Sequence, residues 1–217
     1  MKLDKEFWCQ VDQRFGTEIS MYPERLRILL KVIKACTDKY DADSAKTPNR
    51  PFVIAIDGRA ASGKSTLAEQ LSTLLEADII HMDDFFLPLE LRSAERLTEP
   101  GGNVHYERFC EDVLPYLKSP ELFSYRIFDC SRMDYNGEST VRNTPIRIVE
   151  GSYSHHPKFG KYADLFVFSD VDAVEQMRRS RLRNGEEKAQ MFAKKWIPME
   201  ERYFAEFGIK THADVVI

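Results

Sequence analysis

The segment Gly58-Arg59-Ala60-Ala61-Ser62-Gly63-Lys64-Ser65 constrains this chain more than any other, because it fits G-x-x-x-x-G-K-[ST] without deviation. Its glycines let the backbone wrap so that successive N–H groups point inward at an anion. The preceding run, Phe52-Val53-Ile54-Ala55-Ile56, is apolar and of strand length. After the motif, Lys64 to Glu76 sets Leu67, Leu71, Leu74 and Leu75 on one helical face. A strand, a glycine-bearing turn and a helix in this order bring the positive end of the helix to bound phosphates. Lys64 is expected to reach the β- and γ-phosphates of a nucleotide, and the Ser65 hydroxyl to ligate a metal ion. Gly58 to Thr66 is the expected nucleotide cradle.

The same alternation continues along the chain. Asp78 to Met82, Ile146 to Val149, Leu165 to Phe168 and Ala213 to Ile217 read as further strands, with helical patterns at 104–117, 171–183 and 189–207. Apolar strands alternating with helices predict a five-stranded, mainly parallel sheet covered on both faces, a three-layer α/β sandwich with right-handed crossovers. Residues 51–217 form this core domain. Before it, residues 1–50 supply an N-terminal extension: an amphipathic helix over 22–40, carrying Leu26, Leu29, Leu30, Ile33 and Tyr40, then a polar linker from Asp41 to Pro51. Between 120 and 145, Tyr125 to Phe128 and Ser139 to Val141 flank Asn136-Gly137, which predicts a small β-hairpin turning at that dipeptide.

Composition excludes several classes. A formal charge of −4 over 217 residues argues against a nucleic-acid partner. No apolar run approaches the ~18 residues that span a bilayer, and the acids within Met1 to Glu6 do not suit a signal peptide. Cys9, Cys36, Cys110 and Cys130 are scattered without a C-x-x-C pair, so neither a zinc knuckle nor a disulfide framework is expected. His155-His156 lacks companion ligands for a metal. A reducing cytoplasmic compartment is the simplest expectation, with self-association left open.

Phosphoryl transfer needs a group to take or orient the acceptor's proton. Asp83, in Asp83-Asp84-Phe85-Phe86, and Glu150, before Gly151, both end predicted strands, at the sheet edge where ligands of such folds bind. Either can face a γ-phosphate and its metal, with Ser65 completing the expected metal set. The third cluster, Arg178 to Arg183 before Asn184-Gly185, reads as an arginine-rich lid, and its guanidiniums, Arg179 and Arg183 among them, suit developing phosphoryl charge.

With these residues together, the chain resembles the uridine kinase, phosphoribulokinase and pantothenate kinase family of P-loop kinases over about residues 50–217. In that family a D-x-F-[YFL] motif supplies the catalytic aspartate; the resemblance gives that role to Asp83 rather than Asp84. It gives Glu150, in the family's E-G ending, a share of a magnesium site, and aligns Lys210 to Ile217 with the family's last core strand. The implied activity is transfer of the γ-phosphoryl group of ATP, with Mg2+, to a hydroxyl of a small molecule, a nucleoside first. The substrate side departs from uridine kinase, whose N-F-D motif is replaced by Asn103-Val104-His105 and whose hairpin histidine is missing from Phe128-Asp129-Cys130-Ser131-Arg132. His105, Tyr106, Arg108, Phe128, Arg132 and Tyr153 are candidate acceptor-pocket residues.

Two rivals to a nucleoside kinase stay in view: a kinase of a non-nucleoside hydroxyl metabolite, and a regulatory nucleotide-binding ATPase without transfer. A GTPase switch would need N-K-x-D and an ABC-type ATPase L-S-G-G-Q; neither occurs.

Overall fold

The computed structural model describes residue 3 and residues 5–15, 23–43 and 50–217. Helices α1 (Lys5–Phe15) and α2 (Glu24–Asp43) precede the sheet; the expected linker therefore starts inside α2, and its residues 44–49 lie outside the described residues. Then follow β1 (Phe52–Gly58), α3 (Lys64–Leu75) and β2 (Asp78–His81), which passes into a 3-10 turn over Met82–Phe85. Short helices α4 (Ala94–Thr98), α5 (Tyr106–Asp112) and α6 (Leu114–Leu117) lead to strands β3 (Phe123–Asp129) and β4 (Asp134–Val141). Strands β5 (Ile146–Glu150) and β6 (Leu165–Ser169), helices α7 (Ala173–Asn184), α8 (Glu186–Met191), α9 (Ile197–Phe207) and α10 (Ile209–His212), and β7 (Val215–Val216) complete the chain.

The sheet is five-stranded in the order β2-β5-β1-β6-β7, and each neighbouring pair is parallel. Strand β1 is buried along its whole length, and its side chains divide by parity, as period-2 geometry requires. Val53 and Ala55 enter one core with Phe85, Phe109, Tyr153 and Tyr203. Phe52, Ile54 and Ile56 enter the other, with Leu67 and Leu71 of α3. Trp8 of α1 and Leu26, Leu29 and Ile33 of α2 are part of that second core, so the N-terminal helices cover one face of the sheet.

Two expectations change. The predicted helix over 189–207 is interrupted by a π-helical turn, Phe192–Trp196, in which Ile197 N–H reaches back to Phe192 O. Pro198 explains it: without an N–H it leaves the Lys194 carbonyl unserved, and the ladder widens. The hairpin also turns elsewhere than at Asn136-Gly137, which lies inside β4. Asp129 pairs with Asp134 across the turn, and its carboxylate accepts from Ser131 N–H at 2.8 Å and Ser131 Oγ at 2.6 Å. The register shifts between Arg126 and Phe128, and Gly137, at φ 87, takes the left-handed conformation that a bulge on β4 demands.

Candidate functional site

The carboxyl ends of the central strands are level, since Glu150 pairs in register with Ile56 and His81, and Gly58 with Ser169. A cavity of about 620 Å³ opens there, lined by Ala60, Ala61, Lys64 and Ser65 of the glycine-rich loop, by Asp83, and by Glu150. Gly63 caps α3 at φ 95, so the loop flows directly into the helix whose N–H groups face the cavity side. Lys64 is buried and donates to Gly58 O at 2.7 Å and Arg59 O at 2.8 Å. Its ammonium is thus parked on loop carbonyls at the spot where phosphate oxygens would compete for it. Arg59 turns outward, pairing with Asp170 at 2.8 Å and with Glu201. Ser62 is fully buried, and Thr66 is exposed.

The loop is braced from behind. Arg25 of α2 donates to Ser62 O at 2.7 Å, and also to Ser169 Oγ at 2.8 Å, Asp170 O at 3.0 Å and Ile217 O at 2.6 Å. Arg179 of α7 lies 3.3 Å from the same Ser62 carbonyl and pairs with Glu175 at 2.7 Å. Arg25→Met removes a charge and its fork from beneath the cradle. The expected result is a rise in the KM for ATP of about tenfold, the loss of one charge-assisted hydrogen bond's worth of binding, with the acceptor KM unchanged; steady-state kinetics with ATP and acceptor varied in turn measures it.

The acids form a second group. Glu150 is nearly buried; it accepts from Ser65 Oγ at 3.1 Å and lies 2.6 Å from His81 Nδ1. That hydrogen bond, more than the opposing burial, raises the His81 pKa. Asp83 lines the cavity and is exposed there; the crowding of protein around its carboxylate, and then the charge of Glu150, push its pKa up. Asp84 points the other way, accepting from Tyr125 OH at 3.1 Å. Glu200 of α9 closes the wall, accepting from Ala60 N–H at 2.9 Å and Ser152 Oγ at 2.6 Å, and burial raises its pKa.

Of the six residues expected around the acceptor, Tyr153 lines the cavity. Its φ of 75 is strained for a bulky residue. The strain is held by buried Asp57, which accepts from Tyr153 N–H at 3.1 Å, His155 N–H at 2.9 Å and Tyr203 OH at 2.9 Å. The other five lie outside the lining. His105 caps α5 by accepting from Arg108 N–H at 3.3 Å. Tyr106 is buried, stacking on His156 with centroids 5.1 Å apart. Arg108 is buried over the Phe85 ring, 4.1 Å from its centroid, and donates to Arg126 O at 2.7 Å. Phe128 packs edge-on against Tyr135, and Arg132 is exposed in the hairpin turn. Arg183 lines the cavity where α7 meets Gly185. The lining also includes residues that the sequence did not single out for it: Arg92, Asn103, Cys130, and Phe192, Trp196 and Ile197 around the π turn. Pro198 within a helical pattern was the available signal for the last group.

No protein-family profile matches the chain. Over 150 residues it is 33% identical to a pantothenate kinase of Halalkalibacterium halodurans, covering 58% of this chain and 46% of that one. Over 221 residues it is 22% identical to a chloroplastic uridine/cytidine kinase of Arabidopsis thaliana, covering 94% of this chain and 45% of that one. The chain thus spans about half the length of the curated relatives it matches. Among solved structures, a possible uridine kinase from Bacillus stearothermophilus shares the fold at a TM-score of 0.61 and 20% identity, covering 86% of this chain and 99% of that one. By sequence the chain is therefore a homologue of proteins named pantothenate kinase and uridine/cytidine kinase, and it shares the fold of a protein described as a possible uridine kinase.

Proposed function

We propose that this chain is an ATP-dependent kinase that phosphorylates a hydroxyl of a small molecule. The observation that carries this is the presence of Asp83 in the same cavity wall as Lys64 and Ser65, so that one cleft holds both a phosphate cradle and a carboxylate able to accept a proton. In the reaction the acceptor oxygen attacks the γ-phosphorus in line while the bond to the β–γ bridging oxygen breaks. ADP leaves with that oxygen, and the acceptor's proton passes to Asp83. Lys64 leaves its loop carbonyls for the phosphates, and Arg183 at the α7 end offsets charge on the phosphoryl group in flight, while Arg179, outside the cavity lining, braces the loop instead. Gly185, at φ 79, is the hinge about which α8 closes as a lid.

Among the described residues no group of three or more His, Cys, Asp or Glu side chains could hold a metal by itself. Magnesium beside a nucleotide asks for less, because phosphates and waters fill most of its octahedron. Ser65, Asp83 and Glu150 supply the hydroxyl and carboxylates that fit it. When bound, the ion neutralises charge on the phosphates.

The two kinds of relative support one conclusion about reaction class and leave the nucleoside and the non-nucleoside acceptor as alternatives. No described helix is long and apolar enough to cross a membrane. ADP formation measured with and without a panel of nucleosides and hydroxylated metabolites tests the proposal. A phosphorylated product and acceptor-stimulated turnover are expected. Hydrolysis that no acceptor stimulates would instead support the regulatory ATPase.

A further inference from the structure

One wall of the cavity carries polar groups that neither the phosphate cradle nor Asp83 engages. Residues 85–87 and 103–105 meet there as a short antiparallel pair: Phe86 bridges Val104, Leu87 N–H donates to Asn103 O at 2.9 Å, and His105 N–H donates to Phe85 O at 2.7 Å. The pairing brings Asn103 into the lining. Its side chain is 4% exposed, yet its Oδ1 has no hydrogen-bond partner among the described residues, and its amide serves the hydroxyl of Tyr153 beside it. A buried acceptor atom without a donor, on a residue that lines a cavity, is a group that a ligand's O–H or N–H could satisfy.

Arg92 stands on the same wall. Its Nε donates to Leu87 O at 2.7 Å, the residue whose N–H holds Asn103. The terminal nitrogens of the fork have no partner among the described residues. Cys130, at the hairpin turn, feels the charges of both Asp83 and Arg92, which sets carboxylate and guanidinium in one neighbourhood. Around them the lining is apolar, with Phe86, Leu97 and Met133. The planar fork of an unpaired guanidinium in such a wall matches a carboxylate or phosphate.

We infer that the acceptor is an anionic alcohol, a hydroxylated small molecule whose carboxylate or phosphate is held by Arg92 while Asn103 Oδ1 accepts from its body and its reactive hydroxyl lies at Asp83. This rests on the kinase function proposed above and narrows its substrate class. A neutral nucleoside gives Arg92 nothing to hold.

The test compares acceptors in matched neutral and charged pairs, glycerol with glycerate and ribose with ribose 5-phosphate, together with uridine, by ADP formation and product mass. The charged members are expected to lead in kcat/KM by about a hundredfold, because a site built for a polar group rejects analogues without it. Glycerate against ribose 5-phosphate separates the carboxylate from the phosphate. Arg92→Met is expected to remove the preference through the acceptor KM, leaving the KM for ATP unchanged. A second readout is independent of turnover: with MgADP present, the preferred charged acceptor should slow iodoacetamide alkylation of Cys130, mapped by peptide mass, in the wild type and not in Arg92→Met. A neutral acceptor that leads, and keeps its rate in Arg92→Met, overturns the inference and leaves the kinase function standing. Turnover that none of these or any other panel compound stimulates overturns both.

Discussion

Asp83→Asn is expected to lower kcat by about a thousandfold, within the range that a positioned general base contributes, while ATP still binds. The substitution keeps the shape of the side chain and removes only its charge and basicity. The crowding of protein around the carboxylate and the neighbouring Glu150 hold Asp83 above its ordinary pKa, which brings it nearer to the range where a base works at neutral pH. The sign of the pH dependence follows. The base must be ionised, so turnover falls as pH drops through that raised pKa, and the acid limb of the kcat profile lies above the ~3.9 of a free aspartate. Asp83→Asn should erase this limb from whatever activity remains. Stability should move in the opposite direction. A raised native pKa means that ionising Asp83 costs the folded state free energy at neutral pH, so the neutral amide should raise the unfolding midpoint. Unchanged turnover in a well-folded Asp83→Asn protein would remove this residue from the mechanism.

Gly58→Ala is expected to destroy the nucleotide site from its root. A Cβ built there would lie 2.0 Å from Ser169 O and 2.8 Å from both Ser169 C and N, at a φ of +138. Those are backbone atoms of the neighbouring central strand, paired in register with Gly58, and no rotamer change can relieve them. Overpacking and backbone strain together should cost about 4 kcal/mol, a fall of about 12 °C in the unfolding midpoint for a chain of this size. ATP binding should be lost as β1 and β6 part and the loop loses its seat. Gly137→Ala is the control: its Cβ would meet nothing within 4 Å at a φ of +87, so only the left-handed penalty of roughly 1 kcal/mol applies. Calorimetry with and without MgATP measures both, and wild-type nucleotide affinity in Gly58→Ala would show that the close seat on β6 does not shape the cradle.

The core of the fold was legible wherever the signal is local. Phe52 to Ile56 is apolar at every position because both faces of β1 are covered, and the leucines of α3 repeat at helical spacing because one face is. The glycine-rich loop was legible for the same reason: its conformation is written in consecutive residues. The hairpin was read as present but with its turn misplaced, because Asn136-Gly137 satisfies a bulge as well as a turn. Cross-strand register and the Asp129 carboxylate made that choice. The terminal strand shrank from five predicted residues to Val215–Val216, since pairing at a sheet edge depends on what β6 offers.

The acceptor side was least legible. His105, Tyr106 and Arg108 have the chemistry of a binding site, yet they cap α5, stack on His156 and tie the hairpin to the core. Polar and aromatic side chains serve structure and recognition equally well, and only their neighbours distinguish the two. Sequence by itself determined the α/β sandwich, the glycine-rich loop between β1 and α3 and the two acids at the strand ends, because each depends on contiguous residues and on the period of a strand or helix. Tertiary structure alone decided that Arg25 braces the loop from 37 residues away, and that Arg92, Asn103 and the π turn wall the cavity, because such contacts arise only when distant segments are packed against one another.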